Sequence, residues 1–298
     1  RRGTALIDHA AAVARRRAVP GRPEPLSYHR PMAVRPIGMF DSGFGGLTVA
    51  RAFMDLCPNE SLVYFGDTAR YPYGPRPLDE VRAFAHEIAE RLVRDHDVKF
   101  LVVACNTASA AALDELAAEL PIPVIGVIAP GARALVSVSE RGRVGVIGTV
   151  GTIASGAYQA AVRQVDPGIA LECGACPGFV EFVERGETTG DQITILAERL
   201  LEPLRQADID ALLLGCTHYP FLARTIGTVM GPDVVLVSSA DETAFAIRRI
   251  LEDTGMAAPE GNEARYRFIS SGDPAWFEAL GRRLLGPELA AADGHTWD

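Results

Sequence analysis

Short apolar runs alternate with amphipathic stretches along the chain from Pro36 onward. The runs 37–41, 61–66, 99–104, 123–128, 143–148, 168–173, 210–215 and 233–238 have the length of strands buried on both faces. Between them the period changes. Leu78, Val81, Phe84, Ile88 and Leu92 recur at helical spacing over 78–96, and 107–120 and 190–206 read the same way. Strand and helix in alternation predict an α/β fold with mostly parallel sheets and helices on both faces. Glycine-rich turns follow the early strands, as in Asp41-Ser42-Gly43-Phe44-Gly45-Gly46 and Gly148-Thr149-Val150-Gly151-Thr152.

The pattern also repeats. Ile37-Gly38-Met39-Phe40 parallels Val144-Gly145-Val146-Ile147 at an offset of 107, and Ser61–Tyr73 aligns loosely with Gly168–Val180. The strand ending at Cys105 parallels the strand ending at Cys216 at an offset of 111. Near-constant offsets predict two similar doubly wound domains, with the site in the cleft between them. The expected boundaries are 37–128 plus 238–298 for the first domain and 129–237 for the second. The segment beyond Val237 has no counterpart and is expected to return to the first half.

Composition narrows the chemistry. A net charge of −9 leaves no footprint for direct nucleic-acid binding outside the first 36 residues, which carry eight arginines. That segment reads as a basic, disordered extension. No apolar run approaches the ~20 residues that span a bilayer. Five cysteines in no framework pattern fit reduced thiols, and a cytoplasmic protein is expected. Lys99 is the only lysine and opens its strand, away from the ligand-binding end, so a Schiff base with pyridoxal phosphate is not expected. Cys173-Gly174-Ala175-Cys176 lacks the second cluster a zinc site needs, and neither a metal nor any other cofactor is expected.

The strand ends carry the candidate chemistry. In open α/β sheets, ligands bind beyond the carboxyl ends of the strands. Cys105-Asn106-Thr107 and Cys216-Thr217-His218 each put a thiol there, followed by small hydrogen-bonding side chains. Helix N-termini just after each cysteine are expected to lower the thiol pKa. His218 reads as a second proton carrier beside Cys216, or as its orienting group. Asp41 precedes a tight turn into a helix, which suits a carboxylate that caps the helix or one that acts in the site.

Together these motifs resemble the glutamate racemases. The resemblance rests on Asp41-Ser42-Gly43-Phe44-Gly45-Gly46-Leu47-Thr48-Val49, Tyr64-Phe65-Gly66-Asp67-Thr68-Ala69-Arg70 with Pro72-Tyr73-Gly74, Ala104-Cys105-Asn106-Thr107-Ala108-Ser109 and Gly215-Cys216-Thr217-His218-Tyr219-Pro220. Gly145–Thr149 and Val237–Ala240 match further landmarks, so the likeness covers essentially 37–290. The tail from Gly272 to Pro287 looks most like members from high-GC Gram-positive bacteria. The resemblance implies a cofactor-independent racemase in which Cys105 and Cys216 are the acid/base pair. It further implies that Asp41 assists Cys105, and that Glu184 and His218 assist Cys216. Substrate would be held by Asp41, Ser42, Tyr73, Gly74, Asn106, Thr107, Thr149, Thr217 and His218. It implies D-glutamate for peptidoglycan, a homodimer as is common in the family, and contact with DNA gyrase as in some members. Aspartate or hydantoin racemisation on the same fold, and a non-catalytic gyrase-binding protein, are the competing readings. Two positions depart from the pattern: Phe44 stands where a small aliphatic residue is common, and Glu181 where proline is common.

Overall fold

The structure, a computed structural model, describes residues 31–297. Residues 1–30, most of the basic extension expected over 1–36, lie outside the described residues. Residues 31–36 lead into the first strand, with a single 3-10 turn at Met32–Val34.

The described chain forms two parallel sheets. The first contains β1 (Ile37–Asp41), β2 (Leu62–Gly66), β3 (Phe100–Val103), β4 (Val124–Gly126), β9 (Tyr266–Ser270) and β10 (Asp293–Gly294), in the order β10-β9-β2-β1-β3-β4. The second contains β5 (Arg143–Gly148), β6 (Ala170–Ala175), β7 (Ala211–Gly215) and β8 (Val235–Ser238), in the order β6-β5-β7-β8. The order β2-β1-β3-β4 and the order β6-β5-β7-β8 are the same arrangement. The offsets of 107 and 111 thus carry one strand order onto the other. Strands β9 and β10 lie outside this correspondence and extend the first sheet beyond β2.

Side-chain alternation explains the layering. Ile37 and Met39 of β1, with Phe100 and Val102 of β3, face one apolar cluster, which also takes Leu212 and Leu214 of β7. Phe40, Leu101 and Val103 face the opposite cluster, against α2 (Leu78–His96) and α3 (Asn106–Glu119). In the second sheet Val144, Val146 and Leu213 face α4 (Ile128–Val138) and α6 (Ala157–Val165). Fully covered faces on both sides are why these strands read as continuous apolar runs.

Lys99 closes the amino-terminal side of the first sheet. Its Nζ lies 2.6 Å from Glu60 Oε2 and donates to the carbonyls of Ala33 (2.6 Å) and Met256 (2.8 Å). Both ion-pair partners are buried, so neither charge keeps its water shell. Removing one partner strands the other, at a cost of about 3–5 kcal/mol. Lys99→Met is therefore expected to lower urea stability by that order. Adding Glu60→Leu should recover most of the loss, and additive losses would refute the pairing.

Candidate active site

Asp41 ends β1 and turns the chain into α1 (Leu47–Leu56). Its Oδ2 accepts from the amides of Gly43 and Gly46, both at 3.1 Å. The carboxylate therefore does cap its own loop. Its Oδ1 points the other way and accepts from the hydroxyl of Thr217, which follows β7 of the second sheet, at 3.4 Å. This bond joins the carboxyl ends of the two sheets.

Three further contacts cross the same seam. The hydroxyls of Thr107 and Thr149 meet at 3.0 Å, and Thr152 bonds to both. Tyr158 of α6 donates to Asn106 Oδ1 at 2.5 Å, leaving the buried Asn106 amide nitrogen without a protein partner. Gly151 donates its N–H to the Gly74 carbonyl at 3.0 Å. The approach needs glycine twice. A Cβ on Gly45 would lie 2.5 Å from Thr217 Oγ1, and one on Gly74 would lie 2.8 Å from Thr149 Cβ.

Cys105 and Cys216 sit at this seam, and both are buried. Cys105 occupies the N-cap of α3, where Sγ accepts from the Ala108 amide at 3.5 Å. The helix was expected to lower its pKa. Instead burial pushes the thiol up to about 12, and the negative charge of Asp41 adds to the rise. The Ala108 and Ser42 amides pull it down without offsetting the lost water, and the charge of Cys216 raises it further. Desolvation outweighs the cap. Cys216 differs from expectation as well, because a 3-10 turn (Tyr219–Leu222) stands between it and α9 (Ala223–Met230).

What Cys216 has instead is a histidine. His218 Nδ1 lies 3.9 Å from Cys216 Sγ, and Nε2 lies 2.7 Å from Glu184 Oε1. Glu184 ends α7 (Phe179–Glu184), so the second sheet's own helix supplies it. Burial alone would lower the His218 pKa, but hydrogen bonds and charge from Cys216 and Glu184 push it up to about 10. Both contacts favour the imidazolium over the neutral ring. The imidazolium sets a positive charge beside a sulfur that must turn negative whenever it acts as a base. Phe44 packs edge-on against the His218 ring at 5.1 Å, and Tyr71 stacks over it at 6.2 Å. The other departure, Glu181, is exposed.

Ser42, Gly74, Asn106, Thr107, Thr149 and Thr217 thus gather at the seam with the two thiols. Tyr73 is placed differently. Its hydroxyl is donated to Asp67, so this side chain props the loop that carries Gly74. Tyr71, Thr152 and Tyr158 were not among the residues singled out from the sequence. Thr152 ends a glycine-rich turn that was, and Tyr71 falls in the gap between the motifs ending at Arg70 and starting at Pro72. Tyr158 is one aromatic on an amphipathic helix, and nothing local marks it as other than core.

Lys99 lies at the opposite end of β3 from Cys105. Among the described residues no group of three or more His, Cys, Asp or Glu could hold a metal ion, and no helix is long and apolar enough to cross a membrane. Cys173 and Cys176 are free thiols.

The thiols set an alkaline limit on the fold. Burial pushes Cys57 up to about 11, and Cys105 and Cys176 up to about 12, from the ordinary 9.0. A raised folded pKa gives stability that is complete below pH 9 and is lost as pH climbs toward the folded value. Between pH 9 and 11 each such thiol contributes a fall of about 1.4 kcal/mol per pH unit. His218 acts in the same direction from pH 6.5 to about 10. Urea midpoints should therefore drop steeply from pH 9 to 10.5, and Cys57→Ala should flatten the slope. A flat profile would contradict the burial argument.

Known proteins resemble the chain in sequence and in fold. The family model described as Asp/Glu/Hydantoin racemase matches residues 47–246. A glutamate racemase from a Parafrankia species is 52% identical over 261 residues, covering 87% of this chain and 94% of that protein. The crystal structure of a glutamate racemase isoform from Bacillus anthracis superposes with a TM-score of 0.83 at 44% identity, covering 89% of this chain and 97% of that one. The glutamate racemase from Francisella tularensis, solved in complex with D-glutamate, gives 0.80 at 35% identity, covering 89% and 98%.

Proposed function

The chain belongs to the Asp/Glu/hydantoin racemase family and is an isomerase, and from that premise we propose that it interconverts L- and D-glutamate by two-base proton transfer. The observation that carries the proposal is the pairing of two buried thiols on matching strand ends, Cys105 near Asp41 and Cys216 beside His218.

Racemisation removes the α-proton from one face of the carbon and returns a proton to the other. One thiolate takes the proton as the C–H bond breaks, and the electron pair passes to the α-carbon and its carboxylate. The opposite thiol then donates its proton, forming the new C–H bond, and the reverse reaction exchanges the two roles. Cys105, held as a thiol by burial, suits the donor; Cys216, beside the His218 imidazolium, suits the base. The free Asn106 amide and the hydroxyls of Thr107, Thr149 and Thr217 would bind the carboxylates and stabilise charge developing on them. Asp41 would orient the Cys105 side, and Ser42, Tyr73 and Gly74 would complete the substrate pocket. The D-glutamate formed would supply peptidoglycan synthesis in the cytoplasm.

Circular dichroism of D- and L-glutamate with purified protein tests the activity. In deuterium oxide, both enantiomers should also exchange their α-proton without any added cofactor. Faster turnover of aspartate would replace the substrate, and no turnover of either would reject the reading. Light scattering tests the homodimer, and gyrase supercoiling with and without residues 1–31 tests that contact.

A further inference from the structure

The carboxyl-terminal segment reaches back to the loop that carries Tyr73 and Gly74. After β9, the chain returns as β10 beside it, and the His295 amide donates to the Ser270 carbonyl at 2.8 Å. This pairing brings Trp297 to Asp67, the residue that follows β2, and the indole Nε1 donates to Asp67 Oδ1 at 2.9 Å.

Asp67 is fully buried and its carboxylate is saturated. Oδ1 accepts from Trp297 and from the Ser271 hydroxyl at 2.7 Å. Oδ2 accepts from Arg70 Nε at 2.7 Å and from the Tyr73 hydroxyl. The same indole ring covers the Arg70 guanidinium, with Cζ 3.6 Å from the ring centroid, and the Phe84 ring also lies against it at 4.1 Å. Arg70 also reaches Glu87 at 2.5 Å. One side chain from the end of the chain therefore touches both the anion and the cation that brace the loop 67–74. Beyond Tyr73, the Gly74 backbone is fixed against Thr149 and Gly151 of the second half.

We propose that Trp297 is a positioning residue for substrate binding: its N–H and ring lock Asp67 and Arg70, and through Tyr73 they hold Gly74 at the seam. The inference rests on the reading that Tyr73 and Gly74 border the substrate. Trp297 touches neither thiol's acid–base partners, so its loss acts on binding and leaves proton transfer alone.

Trp297→Phe keeps a ring over Arg70 and removes the N–H, and Trp297→Ala removes both. The expected result for W297F is a KM for glutamate raised about fivefold, the worth of one buried hydrogen bond, with kcat nearly unchanged. W297A should raise KM further. Backbone amides over 68–76 should exchange with deuterium faster in both variants, while those of α3 exchange as in the wild type. If W297A does not fold, W297F alone carries the test. Wild-type KM and wild-type exchange in W297F would overturn the proposal, as would a fall in kcat at constant KM. A wild-type protein that fails to racemise glutamate would sink the functional reading, and amide exchange would still decide whether Trp297 locks the loop.

Discussion

Serine at Cys105 or at Cys216 is expected to lower glutamate racemisation by roughly a thousandfold or more, the scale of losing a positioned acid–base group. A serine hydroxyl ionises far less readily than a thiol, so the altered face loses its base. The unaltered face keeps one. Each single variant should therefore still exchange the α-proton of one enantiomer with deuterium oxide while failing to invert it. The two variants should choose opposite enantiomers. Chirality by circular dichroism and exchange by NMR separate these outcomes. Full racemisation by either variant would end the two-thiol account, and exchange of the same enantiomer by both would place the thiols on one face.

Glu184→Gln is expected to have the next largest effect, a fall in kcat of about ten- to a hundredfold. Glu184 lies 2.7 Å from His218 Nε2 and is one of the two groups that hold the imidazole up to about 10. Without that charge, burial pulls the ring's pKa down. If the imidazolium is the active form, activity persists below its pKa and is lost above it. The alkaline limb of the rate profile should accordingly move to lower pH in the variant. Racemisation has an equilibrium constant of unity, so kcat/KM must fall equally for both enantiomers. The isotope effect need not. With α-deuterated substrates it should rise most for the enantiomer whose proton Cys216 removes. An unshifted alkaline limb would remove Glu184 from the mechanism.

The parts legible in the sequence are those set by local pattern. Strands β1 to β8 fall within or beside the apolar runs; the central ones are covered on both faces and cannot be polar, whereas the edge strands β6 and β8 are partly exposed. The repeat offsets matched strand order because both sheets use one arrangement. Strands β9 and β10 were not legible. Tyr266-Arg267-Phe268-Ile269-Ser270 is half-exposed at its start, and β10 has only two residues. Neither makes a run. The thiol pKa was misread for a related reason: helix capping can be seen in Cys105-Asn106-Thr107, whereas its burial depends on residues distant in sequence, such as Phe40, Phe65 and Tyr73. Trp297 and Asp67 are 230 positions apart, and no spacing rule connects them.

Lys99 has a practical consequence. It is the only lysine of the chain, and in the fold it has no exposed surface. Amine-directed reagents therefore find no side-chain target on the native protein, and acylation at Lys99 becomes a clock for global opening. The converse is useful as well. A lysine introduced at any surface position would be the sole reactive side-chain amine, so a dye, a tether or a cross-linker could be placed at one chosen point without removing any native residue.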